Sequence, residues 1–475
     1  MGNKIFFTYL FFTVFPKALI SSEQVQDYKS TVTDYHVHAT SSTALDRYIQ
    51  KPDPAFNFSL VSTTKLAGVT IQVLDFTSQS WRSKKEVNHN TWKHWLTIIR
   101  PDKVDYSTGL LYITGGSNSD KIPTQFDENL IKIAKLSNSV VAELRMVPNQ
   151  PLVFSDEHDF LKEDSFIAYT WNKFLKGGDD EWPARLPMTK SVVRAMDAVT
   201  QFCRTNEGGA IKIEKFVVSG ESKRGWTAWT TAAVDTRVVA IVPIVIDVLN
   251  IDKFSEHLYQ AYGFWSPADA VYTKIGIHDL VGSLRYKELM QIEEPYEYRD
   301  RITVPKFIIN SAGDQYYPPD SSQFYWDNLK GPKYLRYIPN TNHSLRGSDV
   351  FESLLYFYKT FIRGELMPLY AWSFENNGSI KVVTKTHPAM IKVWSAFNPH
   401  ARDFRLDKIG PAYKSHSAID MHNGVYVGEI EPPKSGWAAF FLELKWEMPS
   451  GAKITMTTAV RILPDILPYK AYGSP

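Results

Sequence analysis

A serine in a small-residue turn follows a short apolar segment and precedes a helical pattern. Residues 215–219 are rich in β-branched side chains, Gly220 ends this segment, and Ser222 lies two positions later. Residues 226–234 are rich in Trp, Ala and Thr, which is typical of a buried helix. A strand, a sharp turn with a serine and a helix form a nucleophile elbow, which exposes the serine Oγ for acyl transfer. The turn departs from the usual Gly-x-Ser-x-Gly because its second glycine is Gly225, one position late.

An acid and a histidine follow two later strand patterns. Asp314 comes after one buried apolar segment, and His343 comes after the next. The chain order Ser222, Asp314, His343 is that of the triad in α/β-hydrolases. In such a triad His343 takes the proton of the serine, and Asp314 fixes the tautomer of the imidazole. Asp320 is an alternative acid in the same loop, but Asp314 is preferred because it directly ends a strand pattern.

Backbone N–H groups near the serine are candidates for stabilising the oxyanion of acyl transfer. The first is the N–H of Lys223, the residue after the nucleophile. The second is the N–H of Gly116, in a Gly-Gly turn that follows an apolar strand pattern; a Tyr hydroxyl serves here in some members of the wider fold. Glu221 precedes the serine, and its carboxylate either opposes an anionic transition state or points away and pairs with Lys223 or Arg224.

The elements that must position these residues are those of an α/β protein. Apolar strand patterns alternate with helical patterns, which predicts an α/β-hydrolase-like doubly wound sheet over residues 23–369. Residues 251–301, rich in Tyr, Glu and Pro, are predicted to form a cap over the site. Short strands separated by Gly, Pro, Asn and Ser predict a small C-terminal all-β domain, sandwich-like, over residues 370–475. Residues 44–60 are polar and irregular.

Composition and the N-terminus limit the classes of protein to consider. With 475 residues the chain has room for two domains, and a net charge of +2 without a basic stripe argues against a nucleic-acid partner. Residues 1–22 read as a secretory signal peptide, with Lys4 before the apolar residues 5–15 and a small residue, Ser22, at the expected cleavage point. We therefore expect a secreted, extracellular protein with no membrane span after cleavage.

Secretion bears on the single cysteine and on possible glycans. Cys203 cannot form an internal disulfide and falls on the apolar face of a predicted helix, so it is expected to be buried. Asn-x-Ser sequons at Asn57, Asn342 and Asn377 predict a glycoprotein. A glycan on Asn342 would crowd the neighbouring His343, so this sequon is expected to stay unused.

A metal site is the competing hypothesis for the N-terminal region. Asp34, His36 and His38 fall on one face of an extended segment, and His-x-His can bind metal. A second cluster at ligand spacing does not follow, so a solvated segment is favoured. No cofactor and no metal are expected.

Several long motifs resemble those of the PhoPQ-activated pathogenicity-related protein family. Two examples are Leu-Asp-Arg-Tyr-Ile-Gln-Lys-Pro-Asp-Pro at residues 45–54 and Trp-Pro-Ala-Arg-Leu-Pro-Met-Thr-Lys-Ser at residues 182–191. The other matching segments are residues 75–82, 92–96, 115–118, 147–151, 247–250, 298–301, 313–315 and 319–323. The likeness runs from about residue 40 to about residue 440.

The resemblance implies an α/β-hydrolase fold with some likeness to the dipeptidyl-peptidase type. It places the family's serine, acid and histidine at Ser222, Asp314 and His343, while Glu221 stands where the family usually has a small residue.

Two functional hypotheses follow. One is a secreted serine hydrolase that acts on an unidentified ester or peptide substrate. The other is a secreted signalling protein that keeps the hydrolase scaffold and represses cell proliferation through a cell-surface receptor.

Overall fold

A nine-stranded sheet organises the computed structural model, which describes residues 42–474. The predicted signal peptide and the segment with His36 and His38 lie outside the described residues. In chain order the strands are β1 (Asn57–Leu66), β2 (Val69–Ser80), β3 (Thr91–Pro101), β4 (Thr108–Ile113), β5 (Val141–Leu144), β6 (Lys215–Glu221), β7 (Val238–Ile244), β8 (Lys306–Ser311) and β9 (Lys333–Ile338).

The strand order defines the fold class. Across the sheet the order is β1-β2-β3-β5-β4-β6-β7-β8-β9. Strands β4 to β9 pair in parallel, whereas β1, β2 and β3 pair antiparallel to their neighbours. Parallel strands place their carboxyl ends on one edge of the sheet, where open α/β sheets carry their sites. The fold is therefore that of an α/β-hydrolase, as the sequence predicted.

Helices cover both faces of this sheet. The helices of the main domain are α1 (Ala44–Gln50), α2 (Glu128–Ser137), α3 (Glu163–Leu175), α4 (Arg185–Cys203), α5 (Lys223–Val234) and α10 (Val350–Ile362). Alternation along β4 separates two cores: Leu111 packs in the cluster that contains α4 and α5, while Leu110 and Tyr112 pack in the cluster that contains α2 and α10. Burial of both faces explains why the central strands are apolar throughout.

The insertion before β8 is helical. It contains α6 (Ile251–Tyr262), α7 (Ala270–Lys274), α8 (Ile277–Leu280) and α9 (Leu284–Glu293). Asn250 adopts a left-handed conformation (φ +62°) where the chain leaves β7 for α6. Gly263 (φ +75°) ends α6, a position that favours glycine because it has no Cβ.

Two antiparallel sheets form the C-terminal all-β region. One has the order β10-β11-β15-β14, and the other has the order β13-β12-β16-β17 with β18 paired to β16. Their strands are β10 (Tyr370–Phe374), β11 (Ile380–Thr384), β12 (Met390–Asn398), β13 (Lys414–Ser417), β14 (Ile419–Asp420), β15 (Val425–Gly428), β16 (Trp437–Glu447), β17 (Lys453–Thr457) and β18 (Arg461–Leu463), and α11 (Leu406–Ile409) lies between β12 and β13.

The all-β region is packed tightly onto the α/β domain. Val393 and Leu442 share a hydrophobic cluster with Leu354 of α10. The N–H of Tyr337 in β9 donates to Oγ1 of Thr457 in β17 at 2.9 Å. Apolar contacts and hydrogen bonds therefore join the two regions, so removal of the β region would expose core side chains of the α/β domain.

The segment from residue 44 to residue 60 differs from the sequence expectation. It is not irregular, because it contains α1 and the start of β1. A capping box between Thr43 and Asp46 begins α1. The side chains of β1 are mostly exposed, so the strand carries no apolar signature and is held by its pairing with β2.

Candidate active site

Ser222 occupies a strained turn between β6 and α5. Its backbone has φ +57° and ψ −126°, a conformation that residues with side chains rarely adopt. Its N–H donates to the carbonyl of Ile244 in the neighbouring strand at 2.8 Å, which fixes the turn. A Cβ on Gly220 would lie 2.8 Å from the carbonyl oxygen of Arg224, and one on Gly225 would lie 2.9 Å from that of Gly220. The displaced second glycine therefore still allows the close approach that an elbow requires.

Asp314 and His343 are paired at the same sheet edge. Nδ1 of His343 lies 2.8 Å from Oδ2 and 3.1 Å from Oδ1 of Asp314, whose side chain is buried. An ionised carboxylate only accepts hydrogen bonds, so Nδ1 carries the proton and Nε2 is left as the acceptor. Oδ1 of Asp314 also accepts from the N–H of Tyr316 at 2.8 Å. This arrangement holds one imidazole tautomer in one orientation.

The serine and the histidine meet the same pair of tyrosines. Ser222 lines a cavity of about 100 Å³ together with Tyr316 and Tyr317. The ring of His343 packs on Tyr316 at 4.5 Å and on Tyr317 at 5.9 Å between centroids. Within residues 42–474 the Ser222 hydroxyl has no hydrogen-bonded partner, so the contact between its Oγ and His343 is not formed in this conformation.

The insertion before β8 supplies much of the cavity wall. Its residues that line the cavity are Ile251, Phe254, Ser255, Leu258, Trp265, Asp269, Tyr272, Ile277, His278, Val281 and Tyr286. Most of these side chains are apolar or aromatic, which is the usual lining of a small-molecule pocket. The predicted cap thus encloses Ser222 in a largely apolar space.

Asp320 has a different set of partners. Its carboxylate accepts from the guanidinium of Arg402 at 2.7 Å and lies 3.1 Å from Nε2 of His257. Burial raises the pKa of Asp320, but the charges of Arg402 and His257 outweigh this effect and hold the pKa well below its usual range. These contacts join three parts of the chain: helix α6 of the cap, the loop after β8 that carries both Asp314 and Asp320 (the acid loop), and the all-β region. Asp320 therefore stabilises the packing of these parts and does not orient His343.

The basic residues of the elbow are neutralised by α3. Nζ of Lys223 lies 2.9 Å from Glu163 and 3.3 Å from Asp164, and Arg224 lies 2.5 Å from Glu163. Burial raises the pKa of Glu163, but the charges of Arg224 and Lys223 lower it to about 2. This clamp was not apparent in the sequence, because the acids and the elbow are far apart in the chain.

Glu221 is held away from both of these cations. Its Oε1 accepts from the hydroxyl of Tyr112 at 2.7 Å. Tyr112 packs against Phe351 of α10 at 5.6 Å between ring centroids, in the cluster on the sheet face that carries α2 and α10. The carboxylate therefore points away from the cavity, but through a tyrosine and not through Lys223 or Arg224.

Replacement of Glu221 by Ala should change the kcat of ester hydrolysis by no more than about threefold, because the carboxylate contacts the opposite face of the sheet. Stability should fall by about 1–3 kcal/mol because the buried Tyr112 hydroxyl loses its acceptor. The matched control is Tyr112→Phe in the same background, which should recover part of this loss in thermal unfolding. A change in kcat of about 30-fold or more would mean that the carboxylate acts on the reacting atoms.

The two oxyanion candidates differ in their surroundings. The N–H of Lys223 stands at the start of α5, where the helix dipole favours negative charge. Gly116 (φ +143°) follows β4, and its carbonyl accepts from Gln150 at 3.3 Å. The adjacent Gly115 abuts the Arg224 guanidinium, which would lie 2.5 Å from an added Cβ. Gly116 is not among the described residues that line the Ser222 cavity.

Other parts of the described chain add little to the site. Cys203 is fully buried, and burial raises the pKa of its thiol to about 12, so it has the surroundings of a packing residue. From residue 42 to residue 474, no cluster of three or more His, Cys, Asp or Glu side chains is arranged to hold a metal ion. Over the same residues, no helix combines the length and apolar character that crossing a membrane requires.

Several known proteins are similar to this chain. The chain is 36% identical over 457 residues to autocrine proliferation repressor protein A of Dictyostelium discoideum, which covers 90% of this chain and 92% of that protein. Similar solved structures include acetyl xylan esterase 1 from Thermoanaerobacterium sp. JW/SL YS485 (14% identity, 71% of this chain and 94% of that one, TM-score 0.46). An acetyl xylan esterase from Paenibacillus sp. R4 has 15% identity, covers 73% of this chain and 99% of its own, and has a TM-score of 0.47.

The family model described as PhoPQ-activated pathogenicity-related protein matches residues 45–405, which is most of the α/β domain together with the first strands of the all-β region. The relative from Dictyostelium discoideum is 36% identical and aligns over 90% of this chain. This chain belongs to the PhoPQ-activated pathogenicity-related protein family.

Proposed function

We propose that this protein is a secreted serine hydrolase that cleaves an ester or amide by acyl transfer to Ser222. The observation that carries the proposal is the strained serine turn beneath the cap, at the same sheet edge as the Asp314–His343 pair. A residue is held in such a backbone conformation only when the surrounding structure enforces it, and such residues concentrate at active sites.

The proposed reaction has two half-reactions, acylation of Ser222 and hydrolysis of the acyl-enzyme. Nε2 of His343 accepts the proton of Ser222 as Oγ bonds to the substrate carbonyl carbon, and the protonated imidazole then gives that proton to the leaving group. In the second half-reaction His343 accepts a proton from water as the water oxygen bonds to the acyl carbon. The imidazole then returns the proton to Oγ of Ser222, and the carboxylic acid is released. The N–H groups of Lys223 and Gly116 are the proposed donors to the oxyanion. The reaction requires a contact between Oγ of Ser222 and Nε2 of His343, which is not formed in the present conformation.

Labelling with a fluorophosphonate probe tests this function directly. The purified protein should be labelled with one phosphonyl group per chain, and peptide mass spectrometry should place the group on Ser222. Heat-denatured protein is the control, because labelling must depend on the folded site. Absence of labelling in the folded protein, or labelling elsewhere in the chain, would contradict the proposal.

A second function is favoured by the Dictyostelium relative, which is named as an autocrine proliferation repressor. On this hypothesis the chain is a secreted signalling protein that represses proliferation through a cell-surface receptor. Adding wild-type protein and the Ser222→Ala variant to growing cells separates the two functions. Equal repression by both proteins would assign the signal to surface recognition, and loss of repression in the variant would make hydrolysis part of the signal.

Secretion and glycosylation belong to the same proposal. The apolar segment near the N-terminus is the proposed signal peptide, with cleavage near Ser22. Asn57 and Asn377 are exposed, and Asn342, which is half-buried next to His343, is the sequon expected to be unoccupied. Intact-mass measurement of the protein recovered from culture medium, before and after glycosidase treatment, tests both points.

A further inference from the structure

Among residues 42–474, the cavity beside Ser222 contains one carboxylate without a partner. Its lining includes four charged side chains, those of Asp164, Arg185, Lys223 and Asp269. Lys223 is paired with Glu163 and Asp164. Over the described residues 42–474, the Asp269 carboxylate accepts no hydrogen bond and forms no ion pair.

The other charges of the lining are already compensated. Asp164 lies 3.3 Å from Nζ of Lys223 and accepts from the hydroxyl of Tyr272 at 3.3 Å. The guanidinium of Arg185 lies 3.7 Å from Glu293 and 3.8 Å above the ring of Trp226. Each charged side chain of the lining other than Asp269 therefore has a partner of opposite charge, whereas Asp269 has none among residues 42–474.

The surroundings of Asp269 disfavour a solitary negative charge. Burial, followed by the carboxylates of Asp164 and Asp314, raises the pKa of Asp269 to about 8. The imidazole of the lining does not supply a counter-charge, because burial lowers the pKa of His278 to about 4 and leaves it neutral at pH 7. A bound cation would favour the ionised form of the Asp269 carboxyl group and compensate its charge.

Aromatic rings complete the cation-binding character of the cavity. Trp265 stacks on the neutral His278 ring at 3.5 Å between centroids, and Tyr272 packs against Trp171 at 5.3 Å. Trp265, Trp171 and Tyr272 all line the cavity with Asp269. Ring faces attract cations, and a carboxylate among aromatic rings is an arrangement suited to an ammonium group.

We propose that Asp269 is a specificity-determining residue that binds an ammonium group on the substrate cleaved at Ser222. The substrate class is an ester or amide that carries a protonated or quaternary amine within the part enclosed by the cap. This inference rests on the proposed hydrolase function, which supplies the reaction, and it adds the charge of the group that the cavity selects.

Paired nitrophenyl esters of equal size test the selection. Glycyl, β-alanyl and 4-aminobutanoyl esters carry an ammonium group, and propanoyl, butanoyl and pentanoyl esters are their neutral counterparts. For at least one pair, wild-type kcat/KM should favour the ammonium ester by about 10-fold or more. The Asp269→Asn variant should lose this preference, so that the ratio of kcat/KM between the two esters of each pair falls to about 1. A 4-(trimethylammonio)butanoyl ester separates quaternary from protonated amines.

The matched control is Asp279→Asn, which removes another cap carboxylate. Asp279 is exposed, accepts from the hydroxyl of Tyr472 at 2.8 Å, and is not among the described residues that line the cavity. This variant should retain the wild-type preference. An equal preference in the Asp269→Asn variant, or a wild-type preference for neutral esters, would overturn the inference while leaving the hydrolase function standing.

Binding provides a readout that does not need turnover. Butylammonium should bind the Ser222→Ala variant more weakly by about 10-fold or more when Asp269 is also replaced by Asn, whereas 1-butanol should bind both equally. If no ester is hydrolysed and no fluorophosphonate is bound, the hydrolase proposal fails. In that case the butylammonium titration still decides whether Asp269 recognises an ammonium group.

Discussion

Replacing Ser222 by Ala should abolish hydrolysis of every ester that the wild-type protein cleaves. The Oγ of Ser222 is the nucleophile of the proposed reaction, and loss of a triad nucleophile costs on the order of 10⁴-fold or more in kcat. The hydroxyl has no hydrogen-bonded partner among the described residues, so its removal should change the free energy of unfolding by less than about 0.5 kcal/mol. Steady-state kinetics and thermal unfolding of the same preparation measure both effects.

A second variant at this position separates chemistry from backbone strain. Ser222→Gly also lacks the nucleophile, but glycine adopts positive φ without a Cβ penalty. Relief of strain at φ +57° should raise stability by about 1–3 kcal/mol, offset by roughly 0.5–1 kcal/mol from the greater freedom of glycine when unfolded. The Gly variant should therefore melt above the Ala variant, with both inactive. Residual wild-type turnover in either variant would remove Ser222 from the mechanism.

The two aspartates of the acid loop should respond in opposite ways to the same substitution. Asp314→Asn should lower kcat by on the order of 10⁴-fold, because the amide no longer holds the imidazole tautomer that leaves Nε2 free to accept the serine proton. Asp320→Asn should leave kcat nearly unchanged at a temperature where the variant is folded. It should lower the free energy of unfolding by about 3–5 kcal/mol, because buried Arg402 loses its charge partner.

Acid pH supplies an internal control for the Asp320 effect. The folded pKa of Asp320 is depressed, so its stabilising contribution is present above the unfolded pKa of about 4 and decreases as the pH falls below it. The stability difference between wild type and Asp320→Asn should therefore shrink when urea unfolding is repeated at pH 3. A collapse of kcat in Asp320→Asn with unchanged stability, together with full activity in Asp314→Asn, would exchange the roles of the two residues.

The acid loop shows where local sequence information ends. The sequence alone located both Asp314 and Asp320 after a strand pattern, and strand proximity favoured the first. The partner of Asp320 is Arg402, which lies in the all-β region, 82 residues later in the chain. This buried ion pair forms only because the all-β region packs against the acid loop. No local periodicity or motif in the sequence indicates that contact.

Glu221 illustrates the same limit on a smaller scale. Its position beside the serine is given by the sequence, which leaves open whether it faces the cavity or the elbow cations. The hydrogen bond to Tyr112 is decided by the pairing of β4 with β6, which places the two side chains together on one face of the sheet. Successive residues of a strand point to opposite faces of the sheet. The register of β6 against β4 therefore decides which side chains Glu221 meets, and this register is known only from the folded sheet.

The amino-acid sequence was enough to predict the fold class, the strand–turn–helix around Ser222, the chain order of serine, acid and histidine, and the cap insertion. Each depends on residues adjacent in the chain: apolar periods, turn glycines and segment order. The folded structure was needed to show that β1 is an edge strand, that Glu163 pairs with the cations of the elbow, and that Asp269 lines the Ser222 cavity without a counter-charge among the described residues. These features arise from contacts between segments distant in the chain, where packing and charge compensation, and not local propensity, select the partners.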